Sequence, residues 1–241
     1  MNPAASPAST PDSPLSAPAS PWRQSLAAAR ANLVPGLVLQ AFALCLFLAY
    51  YFHPPSHRVF DVLAGWKAHW GWRYALLSTA LFGGLIPFLV LRANPRTRWE
   101  TPYSHGLFLV LFWGFKGLEV DLFYRLQTWM FGDVPDFRTI ACKVAVDQLI
   151  YAPWYSTSMM LVLLYWKDAG FSFSRLRRLA VIPFLRANLP KAVVGLWAVW
   201  IPALILIYGL PAALQLPLFN IVLCFYALLI ATLTRRDADT H

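Results

Sequence analysis

AVVGLWAVWIPALILIYGLPAALQLPLFNIVLCFYALLIATL, residues 192–233, carries no charged side chain. As one helix it would extend about 63 Å, roughly twice the hydrocarbon thickness of a bilayer. The stretch must therefore fold back on itself. The break belongs at Gly209–Pro217, where GLPAALQLP supplies a glycine, two prolines and a glutamine. This predicts helices near Ala192–Gly209 and Leu214–Leu233, each about the length a membrane span needs.

The rest of the chain shares this solvent preference. Of its 241 residues, 59% are hydrophobic and 13% charged, and the mean hydropathy is +0.52. A soluble domain carries about 25% charged residues, because it must cover its core with polar surface. Lipid removes that need. The net charge of +9 comes from basic residues in short segments between apolar runs, the distribution of positive-inside topology rather than of a nucleic-acid-binding face. Cys45, Cys142 and Cys224 each lie in an apolar run without metal-ligand spacing, so neither a metal nor another cofactor is expected.

Residues 1–21, almost entirely Pro, Ala, Ser and Thr, cannot bury enough apolar area to offset their ordering entropy and are expected to be a disordered tail. They lack a basic segment leading into an apolar run, so they do not read as a signal peptide. A single transmembrane helical domain is expected over 22–236, followed by a short polar tail at 237–241.

Within that domain Leu33–Phe52 is the first span, stopped by His53, Pro54 and Pro55. In residues 57–72, Val59, Val62, Leu63 and Trp66 recur at helical spacing among His and Lys residues, the pattern of an amphipathic interfacial helix. Further spans are read at Tyr74–Leu91, Tyr103–Phe131 and Ile140–Trp166. The expected fold is an all-α, polytopic transmembrane bundle of about six spans. Four or five remain open if the first or last pair is interfacial or re-entrant. With six spans, Arg92, Arg96, Arg98 and the basic residues of 167–191 share a side with Arg23, Arg30, Arg235 and Arg236, while Arg58, Lys67, Arg73 and Arg138 lie opposite. That asymmetry favours both termini in the cytosol.

Ionisable side chains inside spans are costly and normally face a bundle interior. The third span carries Lys116, Glu119, Asp121 and Arg125; the fourth carries Lys143, Asp147 and the polar Gln148. Lys116 and Glu119 stand at i,i+3, while Asp121/Arg125 and Lys143/Asp147 stand at i,i+4, so each pair shares a helix face. A short loop joins the two helices, which should pack antiparallel with their polar faces together. One account has this network line a pathway for a small solute or ion. A second has it only lock helices or dock a partner span. A third is a membrane-embedded enzyme acting on a lipid, with Asp121 and Asp147 as acid–base groups, although basic residues stand near enough to pair with both. Expected partners are the bilayer, a small solute or ion, and a second copy of the chain in a homo-oligomer.

Residues 117–154, GLEVDLFYRLQTWMFGDVPDFRTIACKVAVDQLIYAPW, hold Gly117, Tyr124 and Leu126, then Lys143, Asp147, Gln148 and Pro153 after a short loop. Trp197, Trp200 and Pro202 add a Trp-x-x-Trp followed closely by proline, with Ile201 inserted. In these features the chain resembles the peroxisomal 22-kDa membrane protein family, which includes mitochondrial inner-membrane proteins. It departs at Asp121, Leu122 and Phe123, where that family has histidine and aromatic residues, and it lacks the family's later arginine and tryptophan. The resemblance implies about four spans and a small-solute channel. Without a clear organellar signal, the positive-inside pattern favours a bacterial cytoplasmic membrane.

Overall fold

The computed structural model describes residues 33–95, 97–99 and 101–238. The Pro/Ala/Ser-rich stretch 1–21, Arg23, Arg30, Arg96 and residues 239–241 of the expected polar tail lie outside them. The described helices are α1 (Leu33–Phe52), α2 (Pro54–Trp70), α3 (Trp72–Ala93), α4 (Tyr103–Phe131), α5 (137–168), α6 (Phe173–Arg178), α7 (Val181–Tyr208) and α8 (Ala212–Ala238). No strand occurs among the described residues.

Local chemistry sets the breaks. Pro54 and Pro55 lack amide protons and fit only a first helical turn, so α2 starts afresh and leaves α1 at 104°. Gly71 and Gly132 adopt φ of 55° and 85°, left-handed conformations that end α2 and α4. Asp136 caps α5, accepting from the Thr139 amide at 2.7 Å, and this hydrogen bond holds its carboxyl below the usual carboxylate range. The break in 192–233 falls at Gly209 and Pro211, while Pro217 is accommodated inside α8. α3 and α5 each widen into π-helical turns, at Ala80–Leu85 and Asp147–Thr157.

α8 is the hub. Its Leu216 packs with Val120, Tyr124, Leu204 and Tyr208; its Val222 with Leu39, Val199 and Ala203; its Leu214 and Leu218 with Phe60 of α2. α3 and α4 form a close antiparallel pair. A Cβ added at Gly117 would lie 2.2 Å from the Ala75 carbonyl oxygen, and one at Gly84 would lie 2.8 Å from that of Leu109. Away from the Phe60 contact, Val59, Val62, Trp66 and Trp70 of α2 are exposed, an apolar stripe available to a membrane surface.

The all-α class stands, but the six-span bundle does not. Among the described residues only Trp72–Ala93 and Val181–Tyr208 are long and apolar enough to cross a membrane, with a third span if the bent pair Gly36–Phe52 and Pro54–Trp70 serves as one. Ala212–Leu228 is apolar but shorter. α4 and α5 have the length, but their charges, hydroxyls and tyrosines make them too polar to qualify. The four- and five-span variants fall for the same reason. What remains is a helical, membrane-associated fold with charged groups buried between its helices.

Candidate functional site

The buried charges sit where α4 and α5 face each other. Lys116, 5% exposed, forms an ion pair with Glu119 one turn along α4. Its ammonium also donates to the Ser156 hydroxyl at 2.9 Å and the Tyr151 hydroxyl at 3.2 Å, both on α5. Tyr151 in turn donates to Glu119 and stacks on Phe123 at 4.0 Å between centroids. Among the described residues the second Glu119 oxygen is buried and accepts no hydrogen bond.

Asp121 lies on another face of α4. It pairs with Arg125 at 2.9 Å and with Lys67, which reaches across from α2. Sequence spacing alone concealed Lys67, which reads as one basic residue on an interfacial helix. Its role depends on the turn at Gly71, which swings the end of α2 back over α4.

The Lys143/Asp147 spacing does not yield an ion pair. Lys143 is 1% exposed, and its described hydrogen bond is a long one, 3.5 Å, to the Thr128 hydroxyl. Its four-carbon stem carries the ammonium towards Thr128 and the loop end of the bundle, where it also lies 5.9 Å from the centroid of the Tyr208 ring. Asp147, 6% exposed, accepts instead from the Tyr208 hydroxyl at 2.5 Å and the Gln148 side-chain amide at 2.9 Å. Among the described residues no Lys or Arg lies within ion-pair distance of Asp147. Gln127 donates to the Tyr208 hydroxyl at 3.1 Å, closing a chain of polar groups across α4, α5 and α7. Tyr208 is the last residue of α7, and no local sequence pattern links it to Asp147.

The other residues singled out from the sequence have these places. Gly117 is a point of close approach of α4 to α3. Pro153 lies in the π-helical turn of α5, and the Pro153 carbonyl accepts from Ser158 at 2.8 Å. The indole of Trp197 donates to the Gln148 carbonyl at 2.9 Å, joining α7 to α5. Trp200 packs against Phe219 and Tyr226. Pro202 is exposed inside α7. A separate buried cluster went unread: Thr79 donates to Asn220 at 2.8 Å, and Asn220 donates to Ser78 at 2.8 Å.

Two cavities flank these groups. The first, about 370 Å³, lies between α4, α5, α7 and α8 and is bordered by Lys116, Asp147, Gln148 and Ser156 together with apolar and aromatic side chains. The second, about 520 Å³, lies between α2, α4 and α8 and is bordered by Lys67, Asp121 and Arg125. Tyr124, buried, borders both. Among the described residues no group of three His, Cys, Asp or Glu side chains is placed to hold a metal ion.

The likeness of residues 117–154 to the peroxisomal 22-kDa membrane protein family does not survive comparison: the helices that qualify as spans are two or three rather than four, and no family model supports it. No family model, no curated protein and no solved structure matches this chain.

Proposed function

We propose that this protein binds a small, largely apolar molecule inside a membrane-embedded helical domain, in the about 370 Å³ cavity between α4, α5, α7 and α8. The observation that carries this is the make-up of the walls. Apolar and aromatic side chains dominate, and a few buried polar groups stand among them, which is how ligand pockets combine affinity with orientation. The volume lies at the small end of the range for such pockets. The proposal places the protein in a bacterial cytoplasmic membrane, supported by the segregation of basic residues to the ends of the apolar helices.

The test uses a background in which Cys45, Cys142 and Cys224 are replaced by alanine. Gln148→Cys and Ser156→Cys, introduced singly, should react with a small uncharged thiol reagent in intact membranes. Ala152→Trp, which fills the same cavity, should slow both reactions. If neither cysteine reacts in monodisperse protein, no accessible cavity exists and the proposal fails.

A second reading, a small-solute pathway, is favoured by the position of Tyr124. Removing its ring by Tyr124→Ala would join the two cavities. Swelling of liposomes in a small neutral solute should then be faster for Tyr124→Ala than for the native chain. Equal, background-level rates in both would discard the pathway.

A further inference from the structure

The walls of the first cavity also discriminate by charge. Both oxygens of the buried Asp147 carboxylate accept from neutral donors, the hydroxyl of Tyr208 and the side-chain amide of Gln148. The cation on the same cavity, Lys116, is engaged by Glu119, Tyr151 and Ser156. Thus the cavity's positive group is paired with a neighbouring carboxylate, while its negative group forms no ion pair among the described residues and feels the Lys116 charge only at longer range. A buried carboxylate whose direct partners are all neutral gains further from any positive charge that enters beside it.

The rings are continuous with that carboxylate. From Tyr208 the centroids step to Tyr124 at 5.3 Å, to Phe219 at 6.2 Å, to Trp200 at 5.4 Å and to Tyr226 at 5.9 Å. The last four rings border the cavity. Aromatic faces carry negative quadrupolar charge and attract cations, most strongly where water is excluded. A carboxylate at the end of a ring-lined apolar wall is the chemistry that recognises an organic ammonium: the charge seeks the acid and the π faces, and the alkyl groups seek the apolar surface. A bare metal ion would instead need several oxygen ligands to replace its hydration shell. An anion would meet Asp147 and an ammonium already neutralised by Glu119.

We infer that this cavity binds a hydrophobic organic cation, a tertiary or quaternary ammonium with apolar substituents, its charge beside Asp147 and its substituents against Trp200, Phe219 and Tyr226. This rests on the cavity being a ligand site, as proposed above.

The experiment compares three probes of similar shape on the full chain in lipid nanodiscs, by titration calorimetry with protein-free nanodiscs as blank. They are phenyltrimethylammonium, neutral tert-butylbenzene and anionic 4-tert-butylbenzoate. The ammonium should bind at least about ten-fold more tightly than the neutral probe, and the benzoate most weakly. Asp147→Asn should bring the ammonium down to the neutral probe's affinity and leave the neutral probe unchanged. Trp200→Leu, which keeps apolar volume and removes a ring, should weaken the ammonium several-fold more than the neutral probe. If Asp147→Asn is not monodisperse, the native preference and Trp200→Leu decide. Equal affinity of the native chain for ammonium and neutral probe overturns the charge assignment and leaves the cavity as a ligand site. Binding of none of the three overturns the ligand site itself.

Discussion

Gly117→Ala should weaken the protein, while Gly114→Ala, one turn earlier on the same helix, should not. At Gly117 the new Cβ would fall 2.2 Å from the Ala75 carbonyl oxygen and 2.6 Å from the Thr79 hydroxyl. The first of these atoms is backbone of α3, so no side-chain rotation relieves it, and the helices must part by roughly 1 Å to restore a normal contact. Overpacking of this kind costs about 1–3 kcal/mol. It also pushes Thr79 off Asn220, which it holds at 2.8 Å. Against this stands the gain of about 1 kcal/mol when alanine replaces glycine inside a helix. These two terms leave a loss of about 0–2 kcal/mol, and the displaced Thr79 hydrogen bond raises it by about 1, to about 1–3 kcal/mol. At Gly114 the new Cβ meets the Ala80 Cβ at 3.5 Å, an ordinary contact, so the helical gain should stand almost alone. The two alanines therefore differ in sign and by about 2–4 kcal/mol. Reversible unfolding of purified protein in mixed micelles, titrated with sodium dodecyl sulfate and followed by tryptophan fluorescence, measures both. Equal shifts in the same direction would refute the close α3–α4 contact at Gly117.

Three further outcomes follow from other contacts. Asn220→Leu should cost about 1–2 kcal/mol in the same unfolding assay, because it strands the Thr79 hydroxyl and leaves Ser78 only its bond to the Tyr74 carbonyl, and combining it with Thr79→Val should cost less than the sum of the single changes. Asp121→Ala should destabilise more than Lys67→Ala, since Lys67 would keep no counter-charge while Asp121 would keep Arg125; the reverse order would show that Lys67 is not held by Asp121. Asp136 has a folded pKa below its unfolded one, so the stability it adds to the start of α5 is present above about pH 3.9 and is lost as pH falls through the lower, folded value. Hydrogen exchange at the Thr139 amide should accelerate across that acidic window, and Asp136→Asn should abolish the pH dependence.

What local chemistry decides was legible in the sequence. The stop at His53–Pro55 and the fold-back after Gly209 follow from proline and glycine stereochemistry, and the all-α class follows from apolar periodicity. The number of spans was not legible from apolar length. Tyr103–Phe131 and the helix after Asp136 look like spans when only their apolar residues are counted. Their polar groups, however, gather on the faces they turn to each other, through Lys116, Glu119, Tyr151 and Ser156. Helices that meet through such faces need not be sheathed in lipid all round, and length cannot separate them from helices that are. Lys67 and Tyr208 show a second kind of illegibility. Neither belongs to a local pattern with its partner, because each contact spans more than fifty residues and exists only after the helices dock.

Lys143 and Asp147 carry this point furthest. Their i,i+4 spacing makes a pair geometrically available, and in an isolated helix such a pair would be worth only about 0.2–0.5 kcal/mol. Docking offers each residue something else. Asp147 faces two neutral donors preset by α7 and by its own neighbour, and Lys143 has a stem long enough to carry its charge towards the loop and Thr128. A weak local preference yields to tertiary hydrogen bonds, and the residue left without a cation is the one that borders the ring-lined cavity. Had the local pair formed, that cavity would present a neutralised acid and have no reason to prefer a cation. The affinity difference between phenyltrimethylammonium and its neutral analogue therefore also reports whether the lysine stays over Tyr208 and Thr128, unpaired with Asp147, in the membrane.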